Sequence, residues 1–203
     1  MSIISTKLAA LKPDKNNPRI GSSSSFLDAY AKLLDGYGSK IAALAGSFVD
    51  RGLLQNELMT VSPNPDDQDG YIVREGNRRL TALQLLVNPA LRKELETRIT
   101  TPQAKAGLKR IGTLSSSVSP AVFNTLSVFL ETDEDQIRDY RRLRHSGELG
   151  GVGTVSWSTL ERLRDAQPDA PLVVILDAIL NSDLPDDVKA RCSENAATID
   201  RYH

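Results

Sequence analysis

One cysteine in 203 residues, Cys192, is too few for an intrachain disulfide or a cysteine-built zinc cluster, which predicts a reducing, cytoplasmic setting. Aromatic residues make up only 5 %, so a core must be assembled mostly from Leu, Ile, Val and Ala. An excess of charge of one sign is also missing. With 25 Lys and Arg against 26 Asp and Glu, the formal net charge of −1 gives no global field to draw in nucleic acid. Any DNA contact therefore needs a local basic face. No apolar run approaches the ~18 residues of a membrane span. The opening Met1-Ser2-Ile3-Ile4-Ser5-Thr6-Lys7 lacks the long apolar stretch of a secretory signal. A soluble protein with no membrane partner is expected.

The apolar fraction of 40 % is enough for a core, and local signals divide the chain into elements. Residues 1–20 read as extended, ending at Asn16-Asn17-Pro18-Arg19, where proline holds its predecessor out of the helical region. After the serines of Ser22–Ser25 a helix is predicted from Phe26 to Leu34, broken by Asp35-Gly36-Tyr37-Gly38. Ile41, Leu44, Ala45, Phe48 and Val49 follow the helical period in a second helix that Gly52 stops. A strand is predicted from Glu57 to Val61, followed by an exposed loop from Ser62 to Gly70. Asn88-Pro89 and Thr101-Pro102 each open a capped helix, making 89–118 a helical insertion. Residues 122–130 alternate as a strand, and Thr132-Asp133-Glu134-Asp135 starts another helix. Beyond the glycine-rich loop Gly147–Gly153 and Trp157 the chain reads as helical, at 158–165, 172–181 and after Pro185.

The most informative segment is Tyr71-Ile72-Val73-Arg74-Glu75-Gly76-Asn77-Arg78-Arg79-Leu80-Thr81-Ala82-Leu83. A short strand leads through Gly76 into a helix whose first turn carries Arg78 and Arg79, at the positive end of the macrodipole. Cations there cost roughly 0.3–1 kcal/mol each when exposed. A bound oxyanion reverses that sign, and glycine lets the backbone approach it, so the segment reads as a phosphate cradle. Ion pairs from Arg78 or Arg79 to Glu75, Asp66, Asp67 or Asp69 are the alternative.

Three blocks, in order and spacing, resemble the N-terminal domain of the ParB/sulfiredoxin superfamily. Asn17-Pro18-Arg19 is similar to the N-P-R of ParB-like proteins. The helix Ile41–Asp50 followed by Gly52-Leu53-Leu54-Gln55 is similar to G-L-L-Q-P, with Asn56 in place of proline. Glu75-Gly76-Asn77-Arg78-Arg79-Leu80-Thr81-Ala82 is similar to G-E-R-R-x-R-A, with Asn77 for the glutamate and Thr81 for the last arginine. The resemblance implies an α+β fold, a small mixed sheet with helices of ParB/sulfiredoxin type, over residues 1–155. A helical C-terminal region would follow over 156–203, and the end of the chain at His203 fits a longer parent protein.

The same resemblance implies nucleotide binding, with Gly76, Asn77, Arg78, Arg79 and Thr81 at phosphates and Gly52 and Gln55 near base or sugar. Arg19 joins them through the N-P-R block. Arg144, within Arg141-Arg142-Leu143-Arg144-His145, is the counterpart of a further triphosphate-binding segment, although no E-N pair precedes it. The implied ligands are a nucleoside triphosphate, CTP or ATP, and Mg²⁺, with Glu75 the nearest carboxylate to orient a water in slow hydrolysis. The implied partners are DNA, through a local basic face or a missing C-terminal region, and a second copy of the chain.

Sulfiredoxin chemistry requires a cysteine in the glycine–helix turn. This chain has Asn77 there, and Cys192 lies outside the matching region. A nuclease would need clustered metal ligands, and Asp66, Asp67 and Asp69 read more simply as a solvated turn. A DNA-binding module is the main alternative, although Asp186, Asp187, Glu194 and Asp200 make its candidate C-terminal helices acidic.

Overall fold

In the computed structural model, residues 2–53, 58–145, 171–180, 182–185, 187–189 and 191–192 are described. The chain is α+β, built on a mixed five-stranded sheet. Its strands are β1 (Ser2–Lys7), β2 (Leu11–Pro13), β3 (Met59–Asn64), β4 (Asp67–Glu75) and β5 (Thr125–Leu130), in the order β1-β5-β3-β4-β2. The β1–β5 and β3–β4 pairs are antiparallel, and β2–β4 and β3–β5 are parallel. In β5, Leu126 and Val128 are buried while Thr125 and Ser127 face solvent, the alternation its sequence shows. The chain forms two compact units that divide between residues 141 and 142.

One helix, α1 (Phe26–Arg51), replaces the predicted pair, and the expected break survives as a kink. Tyr37 has φ −140° and ψ 19°, outside the helical range. The chain is not stopped there because Gly38 presses backbone to backbone against α4 (Pro102–Leu114). A Cβ on Gly38 would lie 2.7 Å from the Gln103 carbonyl oxygen, and one on Gly107 would lie 2.6 Å from that of Gly38. Asp35, on the other side of the kink, accepts from the backbone N–H groups of Thr100 and Thr101, each at 2.9 Å. The breaking residues thus serve as a helix-crossing point.

The predicted loop over 62–70 is a hairpin instead. Strand β3 runs on to Asn64, turns through Pro65 and Asp66, and returns as β4. Turn chemistry is compressed into those two residues: Asn64 Oδ1 accepts the Asp66 N–H at 3.1 Å. Pro63 is tolerated because β3 pairs with β5 only over Met59–Val61, so the proline stands beyond the doubly bonded part of the strand.

Helix α2 (Asn77–Val87) is buried on nearly every side, with Leu80, Thr81, Ala82, Leu83, Leu85 and Leu86 all inaccessible. Its buried Gln84 is satisfied by donating to the carbonyls of Leu8, at 2.8 Å, and Leu11. The Arg92 guanidinium donates to the carbonyls of Leu85 and Leu86, placing a cation at the negative end of α2. The two helices predicted for 89–118 form as α3 (Pro89–Glu96) and α4. Each is capped as its sequence indicates, by Asn88 and Thr101 accepting from Leu91 and Ala104. The core of the first unit joins Leu33, Leu34 and Ile41 of α1 to Leu80 and Leu83 of α2, Ile111 of α4 and Val61, Val73 and Val128 of the sheet.

Helix α5 (Glu134–His145) is capped by Asp133, whose Oδ1 accepts from Asp135 and Gln136, rather than by Thr132. In the second unit α6 (Pro171–Leu180) packs Leu172, Leu176 and Leu180 with Cys192. The predicted helix at 158–165, the Gly147–Gly153 loop, Trp157 and the boundary at 155 lie outside the described residues.

Candidate functional site

Gly76 holds the strand-to-helix junction in a conformation closed to other residues. Its φ of 96° is left-handed, and a Cβ would meet Met59 Cγ at 2.7 Å. As N-cap of α2 it offers no side chain to the helix start, and the first turn contains no acid. This is the arrangement in which a helix N-terminus accepts an anion.

Asn77 follows as a fully engaged buried group. Its Nδ2 donates to the Val73 carbonyl at 2.7 Å, and its Oδ1 accepts the Asp14 N–H at 2.9 Å. Only its backbone is left to face a ligand. Thr81, expected at the phosphates, needs correction. It is fully buried and donates to the Asn77 carbonyl at 2.8 Å, because a residue four positions on lies on the same inward face of the helix.

Through Asn77 the helix start is tied to the N-P-R turn. Asp14 Oδ1 accepts the Asn16 N–H, and the buried Asn17 side chain accepts the Arg19 N–H at 3.0 Å. The Asp14 Oδ2 lies 3.6 Å from Arg74 Nε and 3.8 Å from Arg141 Nη1, and Arg74 also pairs with Glu134. This network fixes the turn so that Arg19 stacks over Tyr37, 5.8 Å from the ring centroid. Arg78 stacks over the same ring at 5.7 Å.

Among the described residues Arg78 forms no ion pair with Asp66, Asp67 or Asp69. Burial holds its guanidinium below the usual arginine range, and the charge on Arg19 lowers it further. Glu75 and Tyr37 oppose that shift, while Arg79 adds to it. Like charges are therefore gathered here around one aromatic ring.

Arg79 turns toward a second segment. With Arg51, Gly52, Leu53, Phe48, Ser47 and Leu44 it lines a cleft of ≈ 90 Å³. Gly52, with φ 74°, closes α1 by donating to the Phe48 carbonyl. The fold thus brings Gly52 to Arg79, and Arg19 to Arg78, joining positions far apart in sequence. Gln55 lies outside the described residues, as does the side chain of Arg144 in α5. Tyr37 and Arg51 were not anticipated as site residues. Tyr37 is hidden in a helix-breaking motif, and Arg51 is an ordinary C-terminal helix cation until the cleft is seen.

Among the described residues no group of three or more His, Cys, Asp or Glu side chains is placed to hold a metal ion. Likewise, among them no helix is long and apolar enough to cross a membrane.

No protein-family model matches the chain, and no curated protein matches it. Among solved structures it is similar to the C-terminally truncated chromosome-partitioning protein ParB from Caulobacter crescentus complexed with CTP-gamma-S. The sequence identity is 15 % and the TM-score 0.46, with 96 % of this chain and 86 % of that chain covered.

Proposed function

We propose that the chain binds a phosphate-bearing ligand, a nucleoside triphosphate such as CTP or ATP, with its phosphates at the start of α2. The observation that carries this reading is the convergence of Arg19 and Arg78 on Tyr37, beside a helix start with neither a capping side chain nor an acid. The cations repel one another and the macrodipole opposes them. A phosphate reverses both terms and accepts charge-assisted hydrogen bonds from the guanidinium groups. Backbone groups at Gly76 and Asn77 complete the cradle.

Size divides the ligand between two places. A cleft of ≈ 90 Å³ is small beside the ~300–1,000 Å³ of sites that enclose a drug-sized ligand. It takes one ring or one phosphate group, so the remainder lies outside, across Arg19, Arg78 and Tyr37. Gly52 and Gln55 are assigned to the base or sugar. Mg²⁺ would ride on the ligand's phosphates, the usual mode for this cation, with few carboxylates of the protein. Slow hydrolysis would use Glu75 to orient water, since phosphoryl transfer asks mainly for positioning and charge neutralisation.

Calorimetric titration with CTP, ATP, GTP and UTP, each with and without Mg²⁺, tests the proposal. Binding of at least one is expected, weakened about 10- to 150-fold by Arg78→Ala, the loss expected for a hydrogen bond to a charged group at ~1.5–3 kcal/mol. No heat with any of the four, from a protein whose circular dichroism shows it folded, would end it.

A further inference from the structure

The 26 acidic residues of the chain are distributed unevenly: none falls between Thr97 and Leu130. Within that span Arg98, Lys105, Lys109 and Arg110 are all exposed. Among the described residues none of the four is in an ion pair. Scattered surface cations are commonplace. A helix whose exposed side has three cations and no acid of its own is a different arrangement, and the carboxylate beside it, Asp35, is held at the start of the helix by Thr100 and Thr101.

Helix α4 concentrates the positive charge. Ala104, Gly107, Leu108 and Ile111 are buried, which turns Lys105, Lys109 and Arg110 to the opposite side together with Gln103, Ala106 and Thr113. Lys105 and Lys109 are separated by about 6 Å along the axis, at 1.5 Å per residue. Beyond the helix, Ser117 and Ser119 are exposed and add hydroxyl groups, while the Ser116 hydroxyl donates to the Thr113 carbonyl at 3.0 Å. The tight glycine crossing seats the opposite side of the helix against α1.

We propose that the exposed face of α4 binds the phosphate backbone of nucleic acid, without sequence preference. Lysine, arginine, serine, threonine and glutamine are the side chains that contact phosphate oxygens in such complexes. An anionic membrane is the poorer fit. Interfacial helices insert large apolar side chains, and the exposed positions of α4 have only alanine and proline to offer. This surface shares no residue with the site assigned at the start of α2, and the inference does not rest on nucleotide binding.

The test is fluorescence anisotropy of a labelled duplex of arbitrary sequence, titrated with the full chain at several salt concentrations. Three cations at the backbone predict a slope of log K against log salt near −2.7, at about −0.9 per phosphate neutralised. Affinity then falls about 40-fold between 50 and 200 mM salt. Lys105→Gln with Lys109→Gln leaves one contact and a fall of about 3.5-fold, whereas arginine at both positions preserves the steep dependence. Because both lysines are exposed, the double variant folds, which circular dichroism verifies. Arg78→Ala keeps the slope, separating this face from the proposed phosphate cradle. No binding at 50 mM salt overturns the proposal, as does a slope indifferent to the lysines. Tighter binding to phosphatidylcholine–phosphatidylglycerol vesicles than to the duplex also overturns it.

Discussion

Asn77 Oδ1 accepts the backbone N–H of Asp14 at 2.9 Å, joining the start of α2 to a turn 63 residues earlier in the chain. The same side chain donates to Val73 at 2.7 Å, so one buried amide holds strand, helix and turn together. Its position beside the proposed phosphate cradle makes it a positioning group rather than a ligand contact.

Asn77→Ala therefore strands a buried N–H and a buried carbonyl. At ~1–3 kcal/mol for each unsatisfied group, the expected loss is about 2–6 kcal/mol of stability. Urea unfolding measures it, and a loss under ~1 kcal/mol would show that water replaces the amide without difficulty.

Gly76→Ala is penalised twice. The left-handed backbone costs an alanine about 1–2 kcal/mol, and the contact with Met59 adds ~1–3 kcal/mol of overpacking. In a Met59→Ala background the Cγ clash is gone and only the backbone part and the 3.3 Å approach to the residue 59 Cβ remain, so a double-mutant cycle recovers most of the steric part as coupling. Strict additivity of the two substitutions would refute the assigned contact.

Two glycines of α1 should respond in opposite directions. Gly36 has open space where a Cβ would stand, so Gly36→Ala is expected to stabilise by ~0.5–1 kcal/mol. Gly38→Ala meets the Gln103 carbonyl and should destabilise by ~1–3 kcal/mol, since backbone cannot swing aside as a side chain can. Thermal melts of the pair, recorded side by side, decide the point.

Asp35 gives the acid limb of stability a defined source. Burial alone would raise its pKa, but hydrogen bonds from the Thr101 and Thr100 backbone and side chains outweigh it and hold the carboxyl below its ordinary value of 3.8. A depressed folded pKa means the contribution is fully present above the unfolded value. It is lost as pH falls from there through the folded pKa. Asp35→Asn should flatten the dependence of unfolding free energy on pH below about 4, and an unchanged acid limb would assign it to other groups.

Much of this architecture is legible in local chemistry. Asn88 and Thr101 announce helix starts because capping needs only neighbouring atoms, and the alternation from Thr125 to Leu130 needs only one covered face. Proline and aspartate misled over 62–70 because their turn preference is real, while the register Ser62↔Ile72 and Pro63↔Tyr71 comes from a partner strand. The same division runs through the site. Arg78 at the head of a helix is visible from sequence, since the macrodipole is a local property. That Arg19 meets it across Tyr37 depends on a kink, a buried asparagine and a crossing helix, none of which nearby residues encode. Thr81 was misplaced because motif likeness ignores which side of α2 is turned inward.

The bare peptide contact between Gly38 and Gly107 carries a consequence for how this protein can vary. No side chain intervenes there, so the bend that presents Tyr37 is set by two main chains touching and cannot be relieved by trimming a neighbour. Any residue larger than hydrogen at position 107 levers the helices apart and carries the aromatic ring away from its arginines. The proposed binding surface is thereby hostage to a position on another helix that no ligand need ever touch.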